Sequence, residues 1–223
     1  MSNDAASLKR ELRTRALDAR RGLSASARKQ AAQAVALRIE EWVGAGHLAL
    51  SADRIVVMAY AAHGSELDCA PSLSAIRAAL RARGDHRTLV VAYPRVDDSP
   101  SGDADAAVAE TMGGAPSLLR LHVGEPRELT AGFRGILEPP CDAPAVEPTD
   151  VDLVLVPGVA FGEDGYRLGY GRGFYDLLLH AAPQALAVGL SYDETLYATV
   201  PHETHDHPLT AVIAPSSTIT VTR

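Results

Sequence analysis

Tryptophan occurs once in these 223 residues, phenylalanine three times and cysteine twice. Cys69 and Cys141 are too few and too far apart for a disulfide framework, so a packed core must supply the stability. Aromatics make up 5% of the chain and hydrophobic residues 47%, with alanine filling much of that share. Lysine is almost missing: Lys9 and Lys29 are the only two. Cationic contacts beyond the N-terminal segment therefore fall to arginine or histidine. No apolar run approaches the roughly 20 residues needed to span a bilayer. The first residues carry Asp4, Lys9, Arg10 and Glu11 with no apolar stretch between them, unlike a secretory leader. These absences predict a cytoplasmic protein with reduced thiols and no membrane contact.

Charge is present, but unevenly. Residues 1–40 hold nine Lys or Arg against four acids, whereas the remainder holds twelve against twenty-four. An acidic body argues against a nucleic-acid binder, which presents a basic surface across the domain. A basic arm on an acidic body suits a local anionic ligand, or contact between arm and body.

Two helices are expected at the start, over 5–20 and 25–43, joined at Gly22 with Ser24 as N-cap of the second. Leu8 and Leu12 begin an apolar stripe in the first, and Val35, Ile39, Trp42 and Val43 form one in the second. Apolar runs then read as buried strands: RIVVMAY (54–60), TLVVAYPRV (88–96), VDLVLVPG (151–158), ALAVGLSY (185–192) and LTAVIAP (209–215). Helical stretches at about 70–83 and 172–182 separate some of them. Continuous Val/Ile/Leu strands alternating with helices predict an α/β fold with a largely parallel sheet covered on both faces, preceded by an N-terminal helical pair. Residues 97–117 read as a polar surface excursion and 138–150 as a proline-rich connector. Neither marks a domain boundary, and one domain is expected.

The segment GYRLGYGRGFYD (165–176) stands out. Gly165, Gly169, Gly171 and Gly173 sit among Arg167, Arg172 and Asp176, between a strand and a helix starting near Gly173. Strand, glycine-rich loop and helix N-terminus together gather backbone N–H groups around an anion. The loop matches neither the dinucleotide fingerprint nor the lysine-bearing phosphate loop. Glycines alone fit a structural crossover better. The two arginines favour phosphate, and Asp176 is a candidate Mg²⁺ ligand.

The longer stretch VPGVAFGEDGYRLGYGRGFYD (156–176) resembles the signature of the 5-formyltetrahydrofolate cyclo-ligase (5,10-methenyltetrahydrofolate synthetase) family. KRELR (9–13), SELD around Glu66, YPRV (93–96), GILEP (135–139) and PHETHDHP (201–208) resemble further landmarks in order. The resemblance implies ATP and 5-formyltetrahydrofolate as substrates, Mg²⁺ as cofactor and a monomeric enzyme. It places Lys9, Arg10, Arg13, Arg167, Leu168, Gly169, Tyr170, Gly171, Arg172, Gly173 and Tyr175 around ATP. The folate would meet Ala61, Glu66 and the segment Tyr170–Phe174, with Arg167 and Tyr170 at the reacting groups and Asp176 and Asp206 on Mg²⁺. The chain departs from the pattern at Gly162, Thr195 and Leu177, and LLRLHV (118–123) stands where a Met-aromatic cluster is usual.

Other clusters carry less. His202, His205 and His207 beside Asp206 match no zinc spacing, and Ser191 lacks the second glycine of a nucleophile elbow. Glu66 in a loop is solvated by default, and Tyr170 and Tyr175 fit core packing as well as a site. Two other functions fit the same residues. One is a phosphosugar isomerase or CoA-transferase type enzyme on a similar scaffold, and the other a non-catalytic folate- or nucleotide-binding regulator.

Overall fold

A computed structural model describes residues 2–48, 53–97, 118–132, 135–171, 173–204 and 206–221. Most of the polar excursion, 98–117, lies outside the described residues, as do Arg172 and His205.

Helix α1 spans Ser2–Gly22 and α2 Ala25–Gly44. The Ser24 hydroxyl accepts the Ala27 N–H at 3.1 Å, satisfying a free amide of the first turn of α2. The expected apolar face of α2 is buried at Val35, Ile39, Trp42 and Val43. In α1 the stripe starts later than the sequence predicts. Leu8 is half exposed, and burial begins with Leu12 and is complete at Ala16. Helix α2 lies with α3 (Ala70–Ala82) against the sheet, while α1 packs on a separate small layer.

The strands run β1 (Arg54–Met58), β2 (Thr88–Asp97), β3 (Leu118–Val123), β4 (Thr130–Ala131), β5 (Leu137–Glu138), β6 (Ala145–Val146) and β7 (Leu153–Val156). After them come β8 (Ala160–Gly162), β9 (Arg167–Leu168), helix α4 (Phe174–Ala181), β10 (Leu186–Leu190), β11 (Leu196–Tyr197), β12 (Ala211–Ile213) and β13 (Thr218–Thr220). Eight of them form one sheet in the order β13-β12-β10-β7-β1-β2-β3-β6. The middle five are parallel, and antiparallel β13, β3 and β6 finish the edges. Each apolar run predicted as a strand is one. The missed strands are short or edge pieces whose residues do not form a continuous apolar run.

Both sheet faces are covered, as expected. Side chains of α2 and α3 pack on one face with Ile55, Val57, Leu153 and Leu155. Leu178 and Leu179 of α4 pack on the other with Val56, Val154 and Phe161. Strand order matters for function. From β1 the chain moves outward to β2, and from β7 it moves the other way to β10 and β12. In such a sheet the crevice lies beyond the carboxyl ends of the strands where the direction reverses. Here that point is between β1 and β7. Among the described residues no helix is long and apolar enough to cross a membrane.

A second layer, β11-β8-β9, sits above that edge. Phe161 of β8 anchors it, buried against Gly189 of β10. A methyl group at Gly189 would come within 2.6 Å of the Phe161 ring and 2.8 Å of Leu209. Both neighbours are fully enclosed, so neither can yield. Gly189→Ala is expected to lower stability by about 1–3 kcal/mol through overpacking, and adding Phe161→Leu is expected to recover part of it. Urea unfolding of the single and double variants measures this; equal stability of Gly189→Ala and the parent would show that the layer shifts freely.

Candidate functional site

The site is built where α1 crosses the β1/β7 edge. Lys9, Arg13, Ala16 and Arg20 follow i, i+4, i+7 and i+11, so they share one helix face. Ala16 is fully buried against Val159, Ala160 and Leu168, which presses that face onto the small layer. The cations beside it are thereby committed to contact. Lys9 Nζ meets Asp206 Oδ2 at 3.1 Å and Glu203 Oε1 at 3.7 Å. Arg13 Nε donates to the carbonyl of Gly169 at 2.8 Å. Arg10 lies off this face and is exposed.

Arg20 was not singled out from sequence, and it is the most enclosed cation of the site at 3% exposure. Its Nε donates to Ser65 Oγ at 3.0 Å, one terminal nitrogen to the Gly158 carbonyl at 3.1 Å and the other to the Tyr170 hydroxyl. One guanidinium thus joins α1, the loop after β1, the loop after β7 and the glycine loop. Its sequence signal was its place on the helix face of Lys9 and Arg13.

The glycine loop has a specific backbone. Gly171 has φ +90° and Gly173 φ +66°, left-handed values that strain any other residue. Gly173 is also the residue from which α4 starts, so its successors present free amides at the helix N-terminus. Gly169 has an ordinary backbone, and the space where a side chain would stand is open. A ligand can reach the backbone there.

Beyond the loop Arg167 is buried, and its Nη2 contacts Asp176 Oδ1 at 2.8 Å. The His207 amide donates to the same oxygen at 3.2 Å. Both bonds end on Oδ1, leaving Oδ2 as the oxygen a cation would meet. Asp206 is adjacent in sequence to His207, so the two predicted metal carboxylates belong to one corner. Hard carboxylate oxygens in small number, completed by phosphate and water, are the usual setting for Mg²⁺. The two described histidines of the zinc-like cluster have other partners: His202 stacks on Tyr166 at 3.6 Å, and the His207 ring nitrogen faces the Pro208 carbonyl. Among the described residues no three His, Cys, Asp or Glu side chains converge on a metal position.

Glu66 is half-buried in the turn after β1 that also carries Ala61, with its carboxylate accepting the His63 amide at 2.9 Å. The turn itself is fixed from beneath. The Tyr60 hydroxyl donates to the Leu67 carbonyl at 2.7 Å, and that of Tyr192 to the Glu66 carbonyl at 3.2 Å. Tyr175 and Tyr170 separate in role. Tyr175 packs partly into the core, where burial and then Glu66 push its hydroxyl well above the ordinary value. Tyr170 is 56% exposed while its hydroxyl reaches inward to Arg20. Burial raises that hydroxyl too, opposed by Arg20. Leu168 is buried in the small layer and Phe174 opens α4 beside the loop.

The model of the 5-formyltetrahydrofolate cyclo-ligase family matches residues 5–215. The chain belongs to that family. The cyclo-ligase of Mycolicibacterium smegmatis is 38% identical over 112 residues, 49% of this chain and 58% of that protein. That of Escherichia coli K12 is 40% identical over 107 residues, 46% of this chain and again 58% of the relative. The aligned segments thus span less than two thirds of these relatives. A solved 5,10-methenyltetrahydrofolate synthetase from Aquifex aeolicus superposes with TM-score 0.61 at 26% identity, covering 97% of this chain and 94% of that one.

The departures from the family pattern have local explanations. A side chain at Gly162 would strike the Asp164 carboxylate, which accepts the Tyr166 amide at 3.2 Å. Thr195 is buried in the turn after β10, its hydroxyl 3.1 Å from that of Ser191. Leu177 lies exposed on α4. A wide depression of about 880 Å³ at the opposite sheet edge is lined by Asp53, Arg83, Asp85 and Arg87, at the amino ends of β1 and β2 and away from the crevice.

Three measurements follow from this geometry. Removing Asp176 leaves the buried Arg167 without its carboxylate, so Asp176→Ala is expected to lower stability by about 3 kcal/mol. Arg167→Ala in that background should add little; additive losses in urea unfolding would show that the pair does not act as a unit. Cys69 is likewise enclosed, and burial pushes its thiol from 9.0 up to about 12. The unfolded chain releases that proton first, so stability is expected to fall as pH rises above about 9. At neutral pH a thiol reagent should label exposed Cys141 quickly and Cys69 only on unfolding.

Proposed function

We propose that this chain closes 5-formyltetrahydrofolate to 5,10-methenyltetrahydrofolate using ATP, with release of ADP and phosphate. The observation that carries this reading is the meeting, at one strand edge, of the glycine loop, three cations and two carboxylates. Lys9 and Arg13 come from α1, Arg167 from β9, Asp176 from α4 and Asp206 from the loop before β12. Family membership selects this reaction from those such an edge supports.

The chemistry accounts for the residue types. A formyl oxygen leaves poorly, so it first attacks the γ-phosphorus and ADP departs. N10 then adds to the activated carbon and loses its proton, and the C–O bond breaks with phosphate leaving. Phosphoryl transfer needs alignment and charge neutralisation rather than a protein nucleophile. Lys9, Arg13 and Arg167 would contact ATP together with Leu168, Gly169, Tyr170, Gly171, Arg172, Gly173 and Tyr175, with exposed Arg10 at the margin. Asp176 and Asp206 would hold Mg²⁺, which when bound neutralises phosphate charge. Glu66, with Ala61 and Phe174 nearby, would meet the pterin, because an ionised carboxylate accepts the N–H groups of its edge. The chain would act as one domain, as a monomer, in the cytoplasm.

Incubation with 5-formyltetrahydrofolate and MgATP tests the reading: methenyl product and ADP should appear together. Turnover without ATP consumption would point to an isomerase or transferase, and binding of both ligands without turnover to a regulator. Arg167→Ala is expected to lower kcat by about 10²-fold or more, with a smaller effect on folate affinity. Asp176→Asn and Asp206→Asn should each raise the Mg²⁺ concentration required. Unchanged metal dependence in both would remove the carboxylates from the metal site.

A further inference from the structure

Arg20 is buried, yet among the described residues it makes no ion pair, and its three hydrogen-bond partners are neutral oxygens. An enclosed charge without a counter-charge is costly, so its retention calls for a role. The partners indicate one. A guanidinium has donors only, so the Tyr170 oxygen must accept from it. The phenolic proton is then turned away from Arg20, towards whatever acceptor lies on the other side. Glu66 is near enough to act electrostatically on Tyr170, while its carboxylate accepts the His63 amide. Ser65 and Gly158 hold the other two arms of the fork, which prevents the guanidinium from swinging to follow the ring.

We propose that Arg20 is a positioning residue that makes Tyr170 a one-way hydrogen-bond donor into the crevice, aimed at a carbonyl oxygen of the bound ligand. Tyr170 sits between Gly169 and Gly171, in a loop whose Gly169 carbonyl is held by Arg13. Without Arg20 the hydroxyl is free to rotate, and the exposed ring has no fixed direction. On the proposed reaction, which this inference deepens, the acceptor is the formyl oxygen. Tyr170 holds that oxygen in line, while the Glu66 carboxylate turns to the N–H edge of the pterin. Arg20 itself touches no substrate and acts through the tyrosine.

The test compares Arg20→Gln, Arg20→Lys, Tyr170→Phe and the double Arg20→Gln/Tyr170→Phe variants. The first readout needs no ligand. In protein carrying ¹³C at the tyrosine ring Cζ, Tyr170 is assigned by its loss in Tyr170→Phe, and its ionisation is followed as pH is raised. Arg20 favours the ionised form, so Arg20→Gln is expected to move the Tyr170 midpoint up and Arg20→Lys to bring it part of the way back. The second readout is cyclisation with MgATP. Arg20→Gln and Tyr170→Phe are each expected to lower kcat/KM for the folate by about tenfold or more, with ATP affinity little changed. The double variant should lose no more than the worse single one. An unmoved midpoint in Arg20→Gln, or kcat/KM losses that multiply in the double variant, overturns the proposal. If the midpoint moves and the unmodified protein makes no methenyl product, the coupling of Arg20 to Tyr170 stands while the reaction proposed above fails.

Discussion

One buried guanidinium sets the geometry of the crevice. Arg20 reaches from α1 to the loop after β1, the loop after β7 and the glycine loop, joining these four pieces through one group. The loops come from strands on either side of the point where the sheet reverses direction. Such a crevice is open by construction, because neighbouring loops fold back to opposite sides. A planar donor with three arms closes it at a fixed width. Burial makes the arrangement stiff, since weakening any arm leaves polar atoms short of partners away from water.

Around that fork, charge is arranged in pairs that span the chain. Lys9 meets Asp206 across 197 positions, and Arg167 meets Asp176 across nine. Each pair combines a cation suited to phosphate with a carboxylate suited to a metal. The carboxylates are thereby neutralised within the protein, and on the proposed reaction an incoming metal and phosphate would replace like with like. The cost of assembling so many charges in one corner stays low because none of these carboxylates faces the crevice without a cation beside it. The asymmetry of the sequence, a basic arm on an acidic body, is this contact written in composition.

Much of the fold was legible. Each apolar run became a strand, and Ser24 caps α2 as its position suggested. The strands outside those runs were not, because β3 carries Arg120 and His122 within its length and β8 and β9 are too short to show a period. The glycine loop stood out through its composition, and Gly171 and Gly173 do adopt the left-handed backbone that only glycine takes easily. Arg20 stayed hidden for a different reason. Within its helix it looks like any of the arginines of the basic arm, and a charged residue on a helix is exposed by default.

The sequence by itself determined what depends on near neighbours: helix and strand periods, the cap, the glycine backbone, and the family through a local motif. Only the tertiary structure decided which face of α1 turns inward, for the choice rests on Ala16 meeting Val159, Ala160 and Leu168 more than a hundred positions away. It also decided that Leu8 stays outside although it shares that helix's apolar period. Local periodicity specifies that a face exists. Which partner it meets, and so which arginine is enclosed and which left in water, is set by contacts between distant segments whose strength comes from packing.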